Sequence, residues 1–338
     1  MSLSAQNLLS YFHTNYSKCN QHPSFLTSWQ GLANTSHSIQ VFGLPIHVLT
    51  AYLIIWKSPK SMNIVKWPLL NSHLWCSLCD FGHGTLLTPY YFIPSLAGFH
   101  VGLLSIFHVP TPIQLLLLMF LMLGMVVSII YLFESRSSSI PENPFRITRR
   151  ATRILYYGAI FSSSSLVALL LLKSPEDQEG ALIEILKTIP CPPIEEFFTV
   201  PPYVFLIDPF WISAVTFFII PAIYLNALIH VVFHTSCCIF YLYLSPSLHT
   251  SAHTRTLQRR FFIASTIQAN VPFIVVIVPF AAGTIALAMG EFNQGFMNFL
   301  VIVIGVHGIV ESITVILLHH AYREWIWSCF QKNKVRSR

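Results

Sequence analysis

Seven runs of apolar residues, each long enough to cross a bilayer as a helix, dominate this 338-residue sequence and limit what it can fold into. They extend over Asn34–Trp56, Trp67–Phe92, Pro112–Phe133, Ile154–Leu172, Phe210–His234, Phe261–Ala288 and Phe296–His320. A hydrocarbon core about 30 Å thick takes about 20 residues of helix, and a helix pairs its own backbone groups where no water can. Only Asp80 in the second run and Glu311 in the seventh carry a formal charge. The expected fold is all-α: a seven-transmembrane helix bundle over residues 34–320, preceded by a tail (1–33) and followed by a basic tail (321–338). The fifth run continues uncharged to Leu244, so its helix is expected to project beyond the bilayer.

Composition removes the main competitors. With 54% hydrophobic and 9% charged residues, the chain has too few charges for a water-facing exterior. The net charge of +6 is spread over short loops rather than gathered on one face, which excludes a nucleic-acid surface. Short Lys- and Arg-bearing loops stay in the cytoplasm. With the N-terminus extracellular and the C-terminus cytoplasmic, sixteen of the nineteen basic residues fall inside, from Lys57, Lys60 and Lys66 in the first inner loop to Arg338 at the end. Outside remain Lys18, Lys173 and Lys187 among acids such as Glu176, Glu195, Asp208 and Glu291. The first 30 residues show neither a basic n-region nor a continuous apolar stretch, so the first span is expected to direct insertion.

That topology sorts the seven cysteines. Cys19 in the outer tail and Cys191 in the long loop from Lys173 to Pro209 face an oxidising compartment, and a disulfide between them would tie the tail over the bundle. Cys76, Cys79, Cys237, Cys238 and Cys329 are expected as thiols, Cys329 in a setting that also suits palmitoylation. Asn15 opens a glycosylation sequon, Asn15-Tyr16-Ser17, on the outer tail. A second sequon at Asn34 sits too near the bilayer.

Ionisable groups at membrane depth are costly and face the bundle interior with a partner. Cys76, Cys79, Asp80 and His83 share one helix face at i, i+3, i+4 and i+7. One rigid helix cannot wrap a tetrahedral ion, so no metal is expected there. His307 and Glu311 stand at i and i+4 and could form a pair. If that face looks across to the second span, Asp80, His83, His307 and Glu311 form a polar cluster that is either a protonation or hydration switch or a static contact; both readings stay open. His230 with His234 and the His319-His320 pair are too sparse for an intramembrane di-iron enzyme, and no phosphate loop, nucleophile elbow or H-E-x-x-H run is present. No enzyme and no cofactor are expected. Pro45, Pro89, Pro94, Pro221, Pro272 and Pro279 read as kinks that leave room for a ligand.

Particular stretches carry a resemblance that covers nearly the whole chain. They are Leu44-Pro45-Ile46-His47; Ser58-Pro59-Lys60-Ser61-Met62; Leu69-Leu70-Asn71-Ser72-His73-Leu74-Trp75; Thr88-Pro89-Tyr90; Pro94-Ser95-Leu96-Ala97-Gly98; Phe133-Glu134-Ser135-Arg136; Pro190-Cys191-Pro192; Thr254 to Phe262 leading to Ile267-Gln268; His307-Gly308; and Tyr322-Arg323. Together they make the sequence resemble the nematode serpentine receptor class H chemoreceptors. Ser135, and Ala321 before Tyr322, depart from the family pattern. The resemblance implies a receptor in the plasma membrane, in sensory-neuron cilia, that detects an external small molecule and activates a heterotrimeric G protein. It implies for Glu134 and Arg136 an acidic-Arg lock at the inner end of the third span. Arg255, Arg259 and Arg260 are the expected G protein contacts, or else merely enforce orientation, and the ligand is expected among the third, fifth, sixth and seventh helices. The competing class is a transporter or channel for a small solute, which needs a continuous polar pathway that two intramembrane carboxylates hardly supply.

Overall fold

The tail before the first span is itself helical. The computed structural model describes residues 3–19, 24–93, 95–245, 251–290 and 293–336. Of the residues singled out above, Pro94, Glu291 and Arg338 lie outside these. In the tail, α1 (Leu3–Thr14) ends in a 3-10 turn at Tyr16–Lys18. The first span is α2 (Trp29–Tyr52), continued by a π-helical turn to Lys57. It begins five residues before the apolar run because Ser28 caps it, its hydroxyl accepting the Gly31 N–H at 3.0 Å.

The second span, α3 (Asn63–Phe81), runs on as a π-helical turn to Leu87 and stops there, which shortens the expected run to Phe92. Thr88 takes a left-handed conformation (φ 42°) and Pro89 opens a strand rather than kinking a helix. The strands β1 (Pro89–Phe92) and β2 (Ala97–His100) form an antiparallel hairpin, with Pro89 opposite His100. A two-residue strand, β3 (Tyr203–Val204), adds to the other edge of β2, so the helical bundle also carries a three-stranded sheet of order β1-β2-β3. Pro is tolerated at the first position of this edge strand because it need not donate there.

The short α4 (Leu103–Ile106) leads into the third span, α5 (Thr111–Ser138). The fourth is α6 (Arg150–Ser165), extended as a 3-10 helix to Lys173. The long loop is structured, holding α7 (Gln178–Thr188), α8 (Glu196–Thr199) and β3. The fifth span joins α9 (Pro209–Ala214) and α10 (Ile220–Ile239) through π-helical turns into a 36-residue rod ending at Leu244. The sixth, α11 (Ala252–Met289), starts nine residues before its apolar run. The seventh is broken at Gly305 and Val306 into α12 (Gln294–Ile304) and α13 (His307–Leu318), and the basic tail is a further helix, α14 (His320–Arg336).

Among the described residues six helices are long and apolar enough to cross a membrane. The helix they leave out is α3, which carries Lys66, Asn71, Ser72, His73 and Asp80, with His83 in the π-helical turn after it, and lies against α2, α5 and α13. Polar side chains lower its hydropathy, and packing against these three helices buries Ser72, His73 and Asp80. At the sheet end, Leu32, Tyr90, Phe92, Leu182, Leu186 and Phe197 make one apolar core beneath α1 and α7. Cys19 and Cys191 are joined by a disulfide with Cα atoms 5.8 Å apart. Asp177 caps α7 through Gly180 N–H at 2.9 Å and accepts Ser4 Oγ at 2.9 Å, and these bonds hold its carboxyl below its usual pKa. Burial, with Glu195 and Glu196 nearby, pushes the Tyr16 phenol up. At the opposite end, Leu53, Met62, Val65 and Tyr322 seat the tail helix, and the Lys57 ammonium lies 5.1 Å from the Trp325 ring centre.

Candidate functional site

The break in the seventh span builds the polar centre of the bundle. Gln40 Nε2 donates to the Gly305 carbonyl (2.8 Å), taking up an acceptor that the interrupted helix leaves free. His307 then opens α13, and its Nδ1 lies 2.7 Å from both the Ile304 carbonyl and Asp80 Oδ1. A carbonyl only accepts, so Nδ1 carries a proton and that N–H points at Ile304; the approach to Asp80 Oδ1 is electrostatic, and Oδ1 has no hydrogen-bond donor among the described residues. Asp80 Oδ2 accepts the Ile309 backbone N–H (2.8 Å) and lies 3.5 Å from His47 Nε2. Asp80 and His307 are both fully buried. Gly308 allows this approach, since a Cβ there would fall 2.7 Å from the Cys76 carbonyl and 2.8 Å from Asp80 Oδ2.

Glu311 does not pair with His307. It faces His73 Nδ1 at 2.9 Å and accepts Gln268 Nε2 at 3.0 Å. His73 Nε2 donates to the His47 carbonyl (3.0 Å), so one further proton is shared between Nδ1 and the Glu311 carboxyl. His47 Nδ1 sits 2.9 Å from Ser312 Oγ and 3.0 Å from Ser77 Oγ. The network thus joins α2, α3, α11 and α13. His47, His73 and Gln268 were not among the expected site residues, although each falls in a stretch that carries the family resemblance. His83 is buried beside this network, but its Nδ1 has no hydrogen-bond partner among the described residues. Among the described residues no three His, Cys, Asp or Glu side chains converge as metal ligands.

Above His307 lies a cavity of about 390 Å³. Its walls come from α5, α10, α11 and α12, represented by Leu118, Met122, Tyr224, Phe280 and Val301, with Tyr91 and Leu96 of the hairpin at its sheet-side end and His83 and His307 among its linings. A wider groove of about 800 Å³ between the fourth and fifth spans is walled by the exposed Leu166, Leu172 and Phe218 and touches none of the polar centre.

Glu134 and Arg136 do not form the expected local lock. Glu134 Oε1 pairs with Arg153 (3.0 Å) and accepts Ser138 Oγ (2.5 Å), while Oε2 accepts the Tyr157 hydroxyl (2.9 Å). Arg136 donates twice to Ser265 Oγ, from Nη2 at 2.7 Å and Nε at 3.0 Å, linking α5 to α11. Two residues apart on a helix, Glu134 and Arg136 point to different neighbours, and each takes what the adjacent helix offers. Arg255 and Arg259 are likewise engaged: Arg255 donates to the Leu242 (2.9 Å) and Ser245 (2.6 Å) carbonyls, and Arg259 to Leu242 (2.7 Å) while covering the Tyr243 ring. They satisfy the orphan carbonyls at the end of the fifth span, where positive charge suits the helix dipole. Arg260 is exposed, and Asn15 is exposed at the end of α1.

A helical membrane bundle with a buried ionic centre and an apolar cavity against it has the plan of a seven-helix receptor. The chain belongs to the serpentine receptor class H family: the family model described as "Serpentine type 7TM GPCR chemoreceptor Srh" matches residues 27–332. The chain is also similar to "Serpentine receptor class H-72" of Caenorhabditis elegans, at 34% identity over 337 residues, covering 98% of this chain and 95% of that protein.

Proposed function

We propose that this chemoreceptor is G protein-coupled: an external small molecule enters the 390 Å³ cavity, and the resulting helix rearrangement activates a heterotrimeric G protein at the opposite end. The observation that carries the reading is His307, which lines the cavity and touches Asp80 at 2.7 Å, so a molecule in the cavity contacts the network joining four helices. The sheet end is extracellular on this reading, because it holds the Cys19–Cys191 disulfide and the sequon at Asn15. The cytoplasmic end gathers Lys57, Lys60, Lys66, Arg146, Arg149 and Arg260, and Arg260 is the contact with the G protein. The receptor then lies in the plasma membrane, in sensory-neuron cilia by family resemblance.

The test is nucleotide exchange on a purified heterotrimer with receptor in lipid vesicles, screened against pools of volatile and water-soluble molecules. Exchange that rises with one pool and disappears in Ala227→Phe, which fills the cavity from α10, supports the reading. Silence to every pool together with solute or ion flux through the same vesicles moves the protein to the transporter or channel class.

A further inference from the structure

We infer that the cavity takes a predominantly apolar molecule carrying one hydrogen-bond-accepting oxygen, of the ketone, ester or carboxylate kind, held by the unpartnered ring nitrogens of His307 and His83; this rests on the cavity being the receptor's ligand site. The walls are Leu, Ile, Val, Met and Phe almost throughout. Against them His307 Nε2 and His83 Nδ1 are buried and have no hydrogen-bond partner among the described residues. The Cys79 thiol, a further neighbour of His307, is directed at Met122 Sδ (3.2 Å). Buried polar atoms are nearly always paired, so two orphans lining one apolar cavity mark where a ligand supplies the missing partner.

Charge balance fixes the kind of partner. Asp80 is fully buried, and its ionic contacts among the described residues are the rings of His307 and His47. A carboxylate at membrane depth is held by a countercharge, and His307, at 2.7 Å, is the nearer. Its Nδ1 proton is committed to the Ile304 carbonyl, so a ring bearing the countercharge keeps Nε2–H, on a residue of the cavity wall, as its uncommitted donor. A neutral His83 adds a second donor by choice of tautomer. An acceptor oxygen satisfies both, a hydrocarbon satisfies neither, and an ammonium group meets a positive ring.

Four probes of equal chain length decide the point: hexane, 2-hexanone, hexanoate and hexylamine, followed by saturation-transfer NMR on the full-length receptor in lipid nanodiscs. Gly283→Leu supplies the lipid-partitioning blank. Gly283 lines the cavity, and a Cβ there meets only Met297 Cε at 3.7 Å and Leu300 Cδ1 at 3.9 Å, so a side chain can enter without a backbone clash. We expect 2-hexanone and hexanoate to bind the wild type about tenfold more tightly than hexane or hexylamine, as one charge-assisted hydrogen bond allows. His83→Phe should narrow the gap between 2-hexanone and hexane, and Gly283→Leu should abolish all saturable binding. Hexane binding as tightly as 2-hexanone in the wild type, and blocked by Gly283→Leu, overturns the ligand class while leaving the cavity as the site. No saturable binding of any probe, or binding that Gly283→Leu leaves intact, overturns the cavity assignment itself; nucleotide exchange judges receptor function separately.

Discussion

Asp80 Oδ2 accepts the backbone N–H of Ile309 at 2.8 Å, so a side chain of α3 caps the start of α13. The first N–H groups of any helix lack intrahelical partners, and a carboxylate suits the positive end of the helix dipole. Asp80→Asn keeps an oxygen for Ile309, whereas Asp80→Ala leaves a buried N–H unpaired, a loss of about 1–3 kcal/mol. We expect Asp80→Ala to lower the apparent melting temperature of the purified receptor clearly more than Asp80→Asn. Equal losses would show that α13 depends on the charge opposite His307 and not on the cap.

Glu311 and His73 offer a test of coupling. Removing one partner of a buried ion pair costs about 3–5 kcal/mol because the other charge is stranded, while removing both can be nearly neutral. Glu311→Leu and His73→Leu should each destabilise strongly, and the double variant should be more stable than either single one. A double variant as unstable as the sum of the singles would mean that the two side chains act through Gln268 and the His47 carbonyl rather than on each other.

The three arginines at the start of α11 should separate in behaviour. Arg255 and Arg259 bond the carbonyls that end the fifth span, so replacing either with Ala should lower stability by about 1 kcal/mol and reduce surface expression. Arg260 is exposed, and Arg260→Glu should leave expression and melting unchanged while lowering agonist-driven nucleotide exchange. Full exchange in a well-expressed Arg260→Glu receptor would remove the one G protein contact assigned here.

Much of this fold is legible in the sequence because lipid permits few alternatives: an uncharged run of twenty-odd residues has to be helix. The cysteine pair is legible for a related reason, since topology leaves Cys19 and Cys191 alone on one side. The hairpin after α3 is not, because Pro89–Phe92 is as apolar as the helix before it, and the left-handed turn at Thr88 has no hydropathy signature. Partner choice inside the bundle is also hidden. Sequence spacing puts His307 and Glu311 on one face, and both lie in α13, but each finds its partner across on α3, His307 at Asp80 and Glu311, one turn further along, at His73. Hydropathy further undervalues α3, whose polar residues are buried by packing against α2, α5 and α13.

Arg136 ties α5 to α11 through its two bonds to Ser265 Oγ, and among the described residues no carboxylate shares that contact. Hydrogen bonds from a charged donor to a neutral acceptor contribute about 1.5–3 kcal/mol when buried. If α11 has to move away from α5 for a G protein to dock, this tie holds the resting arrangement. Ser265→Ala removes the acceptor and leaves the guanidinium over the Phe261 ring, 5.9 Å from its centre. Losing about 1.4 kcal/mol from the resting state shifts a two-state equilibrium about tenfold, so basal nucleotide exchange in Ser265→Ala should rise by up to that factor. Arg136→Ala releases the same tie from its donor side and should raise basal exchange in the same direction. Basal exchange unchanged in a normally expressed Ser265→Ala receptor would mean that the α5–α11 contact is packing alone, with the resting state held elsewhere in the bundle.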